Sequence, residues 1–153
     1  MFSFTTLAAT AAIFAASVAA ESHNIQFVNN CGRGTPVLSQ NFQTINNGNS
    51  YTSNGPLSAT IAYLDTGCGF QGVGCAIVEM TLINGGISST DISLIPDHAF
   101  NVPTAFHYTN GCSAGASCTN ANCPVSEAFH KTDDYAAQRQ CTANDNGLVI
   151  TFC

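Results

Sequence analysis

Short stretches in which apolar and polar side chains alternate recur from His23 to the end of the chain, and they predict strands. Residues 23–29 place Ile25 and Phe27 on one face. Residues 35–38 and 41–45 are short strand segments. Asn46-Asn47-Gly48-Asn49, between Ile45 and Tyr51, predicts a hairpin-like turn. Residues 57–64 form a further strand. Residues 76–82 alternate most cleanly: Ala76, Val78, Met80 and Leu82 share one face, and Ile77, Glu79 and Thr81 the other. Residues 90–95, 105–108 and 148–152 complete the set. Gly85-Gly86 and the Asn-, Gly-, Ser- and Cys-rich residues 110–122 predict loops. Short helical turns fit residues 126–129 and 136–140. Many short strands punctuated by turns predict an all-β sandwich or flattened barrel. There is no internal repeat, linker or low-complexity tract.

The first twenty residues break this pattern. From Leu7 to Val18 they are small and apolar without interruption, and Ser17-Val18-Ala19-Ala20 supplies small residues for cleavage. Residues 1–20 therefore read as a secretory signal peptide, although no Lys or Arg precedes the apolar run. The run is short and rich in Ala and Thr for a membrane anchor. The chain shows no apolar tail for a lipid anchor at Thr151-Phe152-Cys153. Residues 21–153 form one domain. Only 8% of residues are charged, the formal net charge is −6, and the bases are Arg33, Lys131 and Arg139. With no basic patch, nucleic acid and anionic membranes are not expected partners. The surface must be solvated by Asn, Ser, Thr, Gln and Gly, as suits a secreted monomer. No Asn-X-Ser/Thr sequon is present.

Eight cysteines follow the signal: Cys31, Cys68, Cys75, Cys112, Cys118, Cys123, Cys141 and Cys153. An even count in a secreted chain reads as a disulfide framework, with about 105 pairings open from the count alone. A cysteine metal site would want paired Cys-X-X-Cys knuckles, which are absent. No metal or other cofactor is expected.

Several sequence words, in order, resemble those of thaumatin-like proteins (osmotin-type, pathogenesis-related). Val78-Glu79-Met80-Thr81-Leu82 resembles that family's Ala-Glu-Phe-Thr-Leu. Asp91-Ile92-Ser93-Leu94-Ile95, Asp97 and Phe100-Asn101-Val102-Pro103 resemble its Asp-Val-Ser-Leu-Val-Asp-Gly-Phe-Asn-Val-Pro, with two added residues around Pro96 and Asp97. Cys123-Pro124, Ala128-Phe129-His130 and Asp133-Asp134 are similar to its Cys-Pro-X-Ala-Tyr-Ser-Tyr and Asp-Asp words. Residues 25–31 and 148–153 resemble its opening and closing strands. The resemblance implies a disulfide-stapled antiparallel β-sandwich without the second disulfide-rich lobe of larger members, whose place would lie between Cys118 and Cys123. It also implies the pairs Cys31–Cys153, Cys68–Cys75, Cys112–Cys141 and Cys118–Cys123.

The family carries an acidic cleft of one Arg, one Glu and three Asp. Glu79 matches the Glu, Asp91 and Asp97 match two Asp, and Asp133 or Asp134 sits nearest the third, Asp134 being taken for the groove. The Arg is absent: the family's Arg-Thr-Gly-Cys stands here as Asp65-Thr66-Gly67-Cys68. The resemblance implies a secreted defence- or cell-wall-related protein that binds β-glucan or a similar wall polysaccharide. Two other readings stay open. One is a weak endo-β-1,3-glucanase with Glu79 and Asp91 as its carboxyl pair, since glycoside hydrolysis needs an acid and a base or nucleophile. The other is an extracellular interaction module or effector with no glycan site. Missing Arg and missing Trp weigh against hydrolysis; the available rings are Tyr51, Tyr63, Phe70, Tyr108 and Tyr135. His98, His107 and His130 lack helical metal spacing, and no Gly-X-Ser-X-Gly elbow occurs.

Overall fold

In the computed structural model, which describes residues 20–153, the alternating segments become eleven strands. They are β1 (His23–Asn29), β2 (Thr35–Gln40), β3 (Gln43–Asn47), β4 (Tyr51–Ser53), β5 (Leu57–Asp65) and β6 (Ile77–Leu82). The remainder are β7 (Ser88–Ser93), β8 (Thr104–Thr109), β9 (Gly115–Cys118), β10 (Arg139–Cys141) and β11 (Gly147–Phe152). Two 3-10 turns, Phe70–Gly72 and Tyr135–Ala137, are the helical elements among the described residues. The segment expected to be a signal peptide, residues 1–20, lies outside the described residues except for Ala20.

The strands form a five-stranded sheet, in the order β4-β1-β11-β8-β9, and a six-stranded sheet, β10-β7-β6-β5-β2-β3. Their facing surfaces supply one core. Ile25, Phe106, Leu148 and Ile150 come from the first sheet, and Leu38, Ala62, Val78 and Met80 from the second. Burying these apolar faces against each other drives the sandwich together. Tyr108 of β8 crosses between the sheets, its hydroxyl donating to Thr90 Oγ1 of β7 at 2.9 Å. Burial pushes its pKa up to about 12.

All eight cysteines are paired: Cys31–Cys153, Cys68–Cys75, Cys112–Cys141 and Cys118–Cys123. Four disulfides fit oxidising surroundings, as outside the cell. Cys31 and Cys153, with Cα atoms 5.1 Å apart, join the ends of β1 and β11. Those two strands pair in parallel, from Ile25 opposite Leu148 to Asn29 opposite Phe152. Among the named strands the pairing is therefore antiparallel except at this one junction.

The structure differs from the sequence expectations at five places. The Asn46–Asn49 turn does not close a hairpin: β3 is an edge of the six-stranded sheet and β4 an edge of the five-stranded one. Gly48, with φ of 102°, lets the chain change sheets there. Asn41 is not strand but the first residue of a two-residue turn joining β2 to β3, since Gln40 pairs with Gln43. The predicted loop at 110–122 contains β9, and the predicted helical turn at 136–140 ends in β10. Residues 126–129 are not helical: Phe129 bridges alongside Ser93 at the end of β7.

Candidate functional site

On β6 the alternation buries Val78, Met80 and Leu82 between the sheets and places Ile77, Glu79 and Thr81 on the outer face, where Ile77 is buried with Val37 and Tyr63 while Glu79 and Thr81 are partly exposed. The β6–β7 register then sets Glu79 directly opposite Asp91, and Ser89 opposite Thr81. Directly opposed residues on one face have Cβ atoms about 5 Å apart, so the two carboxyls meet. They line a groove of about 350 Å³ on the outer face of the six-stranded sheet, with Ala59, Ile61, Thr81 and Ser89.

Two like charges cannot be held this close without cost, and Asp91 gives way. Its carboxyl pKa is pushed up to about 7, first by burial, then by repulsion from Glu79, and through a hydrogen bond to Glu79 that favours the protonated form. Asp91 Oδ1 is shut off from solvent with no protein partner, which makes its ionised form costlier still. Glu79 and Asp91 thus form a carboxyl pair in which Asp91 keeps its proton up to near-neutral pH. Such a pair can donate one hydrogen bond and accept several.

The groove continues past Glu79 into a second hollow of about 290 Å³ over β2 and β5. Glu79, Ala59 and Ile61 belong to both. The second hollow adds Phe42 from the tip of the β2–β3 turn, Gln71 from the first 3-10 turn, and His98. None of these three was expected there. Only Phe42 left a trace in the sequence, since a two-residue Asn-Phe turn flanked by Gln40 and Gln43 reads as strand unless the pairing is known.

Asp97 and Asp134 are not among the lining residues. Asp97 is exposed on the loop after β7, where its carbonyl accepts from the Gly74 N–H at 2.8 Å. Asp134 is engaged in a turn: its Oδ2 accepts from the backbone N–H groups of His130 and Lys131, each at 2.9 Å. These bonds hold its carboxyl below the usual carboxylate range. Asp65, where the resembling family has Arg, also serves its own backbone. Its Oδ1 accepts from Gly67 and Cys68 N–H groups at 2.9 and 3.0 Å. It does not line the groove.

No family model and no curated protein matches the chain. The groove's chemistry must be judged from its own residues. Of the rings named from sequence, Tyr63 and Tyr108 are buried, Tyr51 is half-buried, and Phe70 and Tyr135 are exposed. Among the described residues no three His, Cys, Asp or Glu side chains gather as metal ligands would.

Proposed function

We propose that this chain is a secreted, small thaumatin-like protein whose acidic groove binds a neutral wall polysaccharide, such as β-glucan, without cleaving it. The observation that carries this reading is the Glu79–Asp91 pair, set directly opposite each other across β6 and β7 in an open groove lined with the hydroxyls of Thr81 and Ser89. A protonated Asp91 beside the Glu79 carboxyl meets sugar hydroxyls as both donor and acceptor. The pair's remaining negative charge disfavours anionic polymers. The ordered sequence words, the two-sheet architecture and the four disulfides support the family reading.

Hydrolysis with the same pair is the weaker reading. The Arg that the resembling family sets among its carboxylates is absent, Asp65 standing in its place outside the groove, and no Trp is present to hold a sugar against the pair.

Pull-down on insoluble β-1,3-glucan, chitin and cellulose, with reducing ends assayed in the same tubes, tests both readings. Expected are retention on glucan and no release of reducing ends. Glu79→Gln should keep retention within about threefold, since the amide still bonds to hydroxyls and to Asp91. Sustained release by the wild type, abolished in Glu79→Gln, would reverse the assignment, because an amide cannot cycle a proton. Retention on none of the polymers would favour the interaction-module reading.

A further inference from the structure

Among the described residues, eight non-glycine residues adopt a left-handed backbone: Asn41, Phe42, Ala59, Gln71, Asp97, Asn110, Asp145 and Cys153. Four of them, Asn41, Phe42, Ala59 and Gln71, line the second hollow, and a fifth, Asp97, immediately precedes its His98. This conformation costs a side-chain-bearing residue stability, and such costs concentrate where a site demands a particular geometry.

Phe42 is the sharpest case. Asn41 and Phe42, at φ 50° and 62°, form the two-residue link between β2 and β3. A two-residue hairpin with both residues left-handed is best served by Asn-Gly. Here the second position holds a phenylalanine that is 73% exposed. It contributes almost nothing to the core in return for its strain. What it does provide is an aromatic face at the rim of the hollow that ends at Glu79.

The polar groups around that face are prepared and unspent. Ser39 Oγ donates to Gln71 Oε1 at 2.9 Å, which anchors the Gln71 amide and leaves its NH₂ without a protein partner among the described residues. His98 Nδ1 donates to the Gly72 carbonyl at 3.0 Å, which leaves Nε2 unpartnered in the same sense. Glu79 supplies a carboxylate. A β-bulge sets the floor: the β5–β6 register slips between Leu57 and Thr60, and Ala59, inside the slip, lines both hollows. Bulges re-aim strands beside sites in this way.

An apolar plane beside an amide donor, an imidazole nitrogen and a carboxylate matches a pyranose ring, which offers one apolar face and a rim of hydroxyls. From this geometry we infer a sugar-ring subsite in the second hollow, with Phe42 as its stacking platform and Gln71, His98 and Glu79 as its hydroxyl partners. Its occupant is an uncharged hexopyranose unit of a longer chain, whose neighbouring units run along the groove past Asp91. This inference rests on the polysaccharide reading above and names the residues that grip one sugar unit.

The test uses the purified full chain with three soluble probes: β-1,3-glucohexaose, cellohexaose and hexagalacturonate. Affinities are read by calorimetry, and line broadening of the Phe42 ring by NMR. One neutral hexamer should bind and hexagalacturonate should not. Phe42→Ala should weaken binding about tenfold, the loss expected for one aromatic face no longer covered, and Phe42→Trp should retain it. Phe42→Gly should abolish the stacking yet raise the unfolding temperature by a few degrees, because it installs the turn's preferred residue. That opposition separates a binding role from a structural one. If the wild type binds a hexamer and Phe42→Ala binds it equally well, the subsite is overturned while the groove reading stands. If the wild type binds no hexamer, the groove reading falls and the subsite with it. Equal binding of hexagalacturonate would overturn the assignment to an uncharged sugar.

Discussion

Replacing Cys31 and Cys153 together with serine should lower the free energy of unfolding by about 4–5 kcal/mol, against roughly 2 kcal/mol for Cys118 and Cys123. The difference follows from loop length: the first bond spans 122 residues and the second 5. A longer closed loop removes more freedom from the unfolded chain, although the gain grows only logarithmically. Denaturant titration of the two double variants measures both losses. Equal losses would show that local packing at each bridge, rather than closure of the chain, sets its worth.

The second large effect is a fall in stability as pH rises. Asp91 titrates at about 7 in the folded protein, against an ordinary 3.8 when unfolded. Between those values the folded protein holds a proton that the unfolded chain has released. Stability is therefore fully retained below about pH 4 and declines as pH rises through 7, by about 2–4 kcal/mol for a shift of this size. Asp91→Asn should remove this slope and leave the variant more stable than the wild type at pH 8. Unfolding free energies of both proteins at pH 4, 5.5, 7 and 8 check it, and their difference isolates the pair from the general acidic charge. A variant profile parallel to that of the wild type would refute the titration of Asp91 as the cause. The expected sugar affinity moves the same way, since ionisation of Asp91 removes the donor.

Local alternation made most of the strands legible, because burying one face of a sheet imposes a period of two wherever the sequence is long enough to show it. β6 is the clearest instance, and its outward Glu79 was readable for the same reason. β9 and β10 were not legible. With 4 and 3 residues they are too short to display a period, and they owe their form to the strands they pair with. The Asn46–Asn49 turn was legible as a turn but not as a change of sheet. Turn chemistry is local, and partnership depends on residues far along the chain. The same limit applied to the site. That Glu79 and Asp91 share a face follows from alternation, but that they meet depends on a register fixed by the loop of residues 83–87. Phe42 passed as part of a strand because its turn uses a residue that such turns rarely hold.

The position of β11 bears on how this chain must come to be folded in a cell. β11 is the middle strand of the five-stranded sheet, between β1 and β8, yet it is the last of the eleven to emerge from the ribosome. Until it arrives, β1 and β8 each present an open hydrogen-bonding edge to any passing chain. The first sheet therefore closes only after the rest of the domain has been synthesised, and its Cys31–Cys153 bond forms no earlier. Long-range closure of this kind is slow, and the waiting edges are the hazard during the delay. Export machinery that keeps the emerging chain apart from its neighbours, followed by oxidation, would meet that need in order.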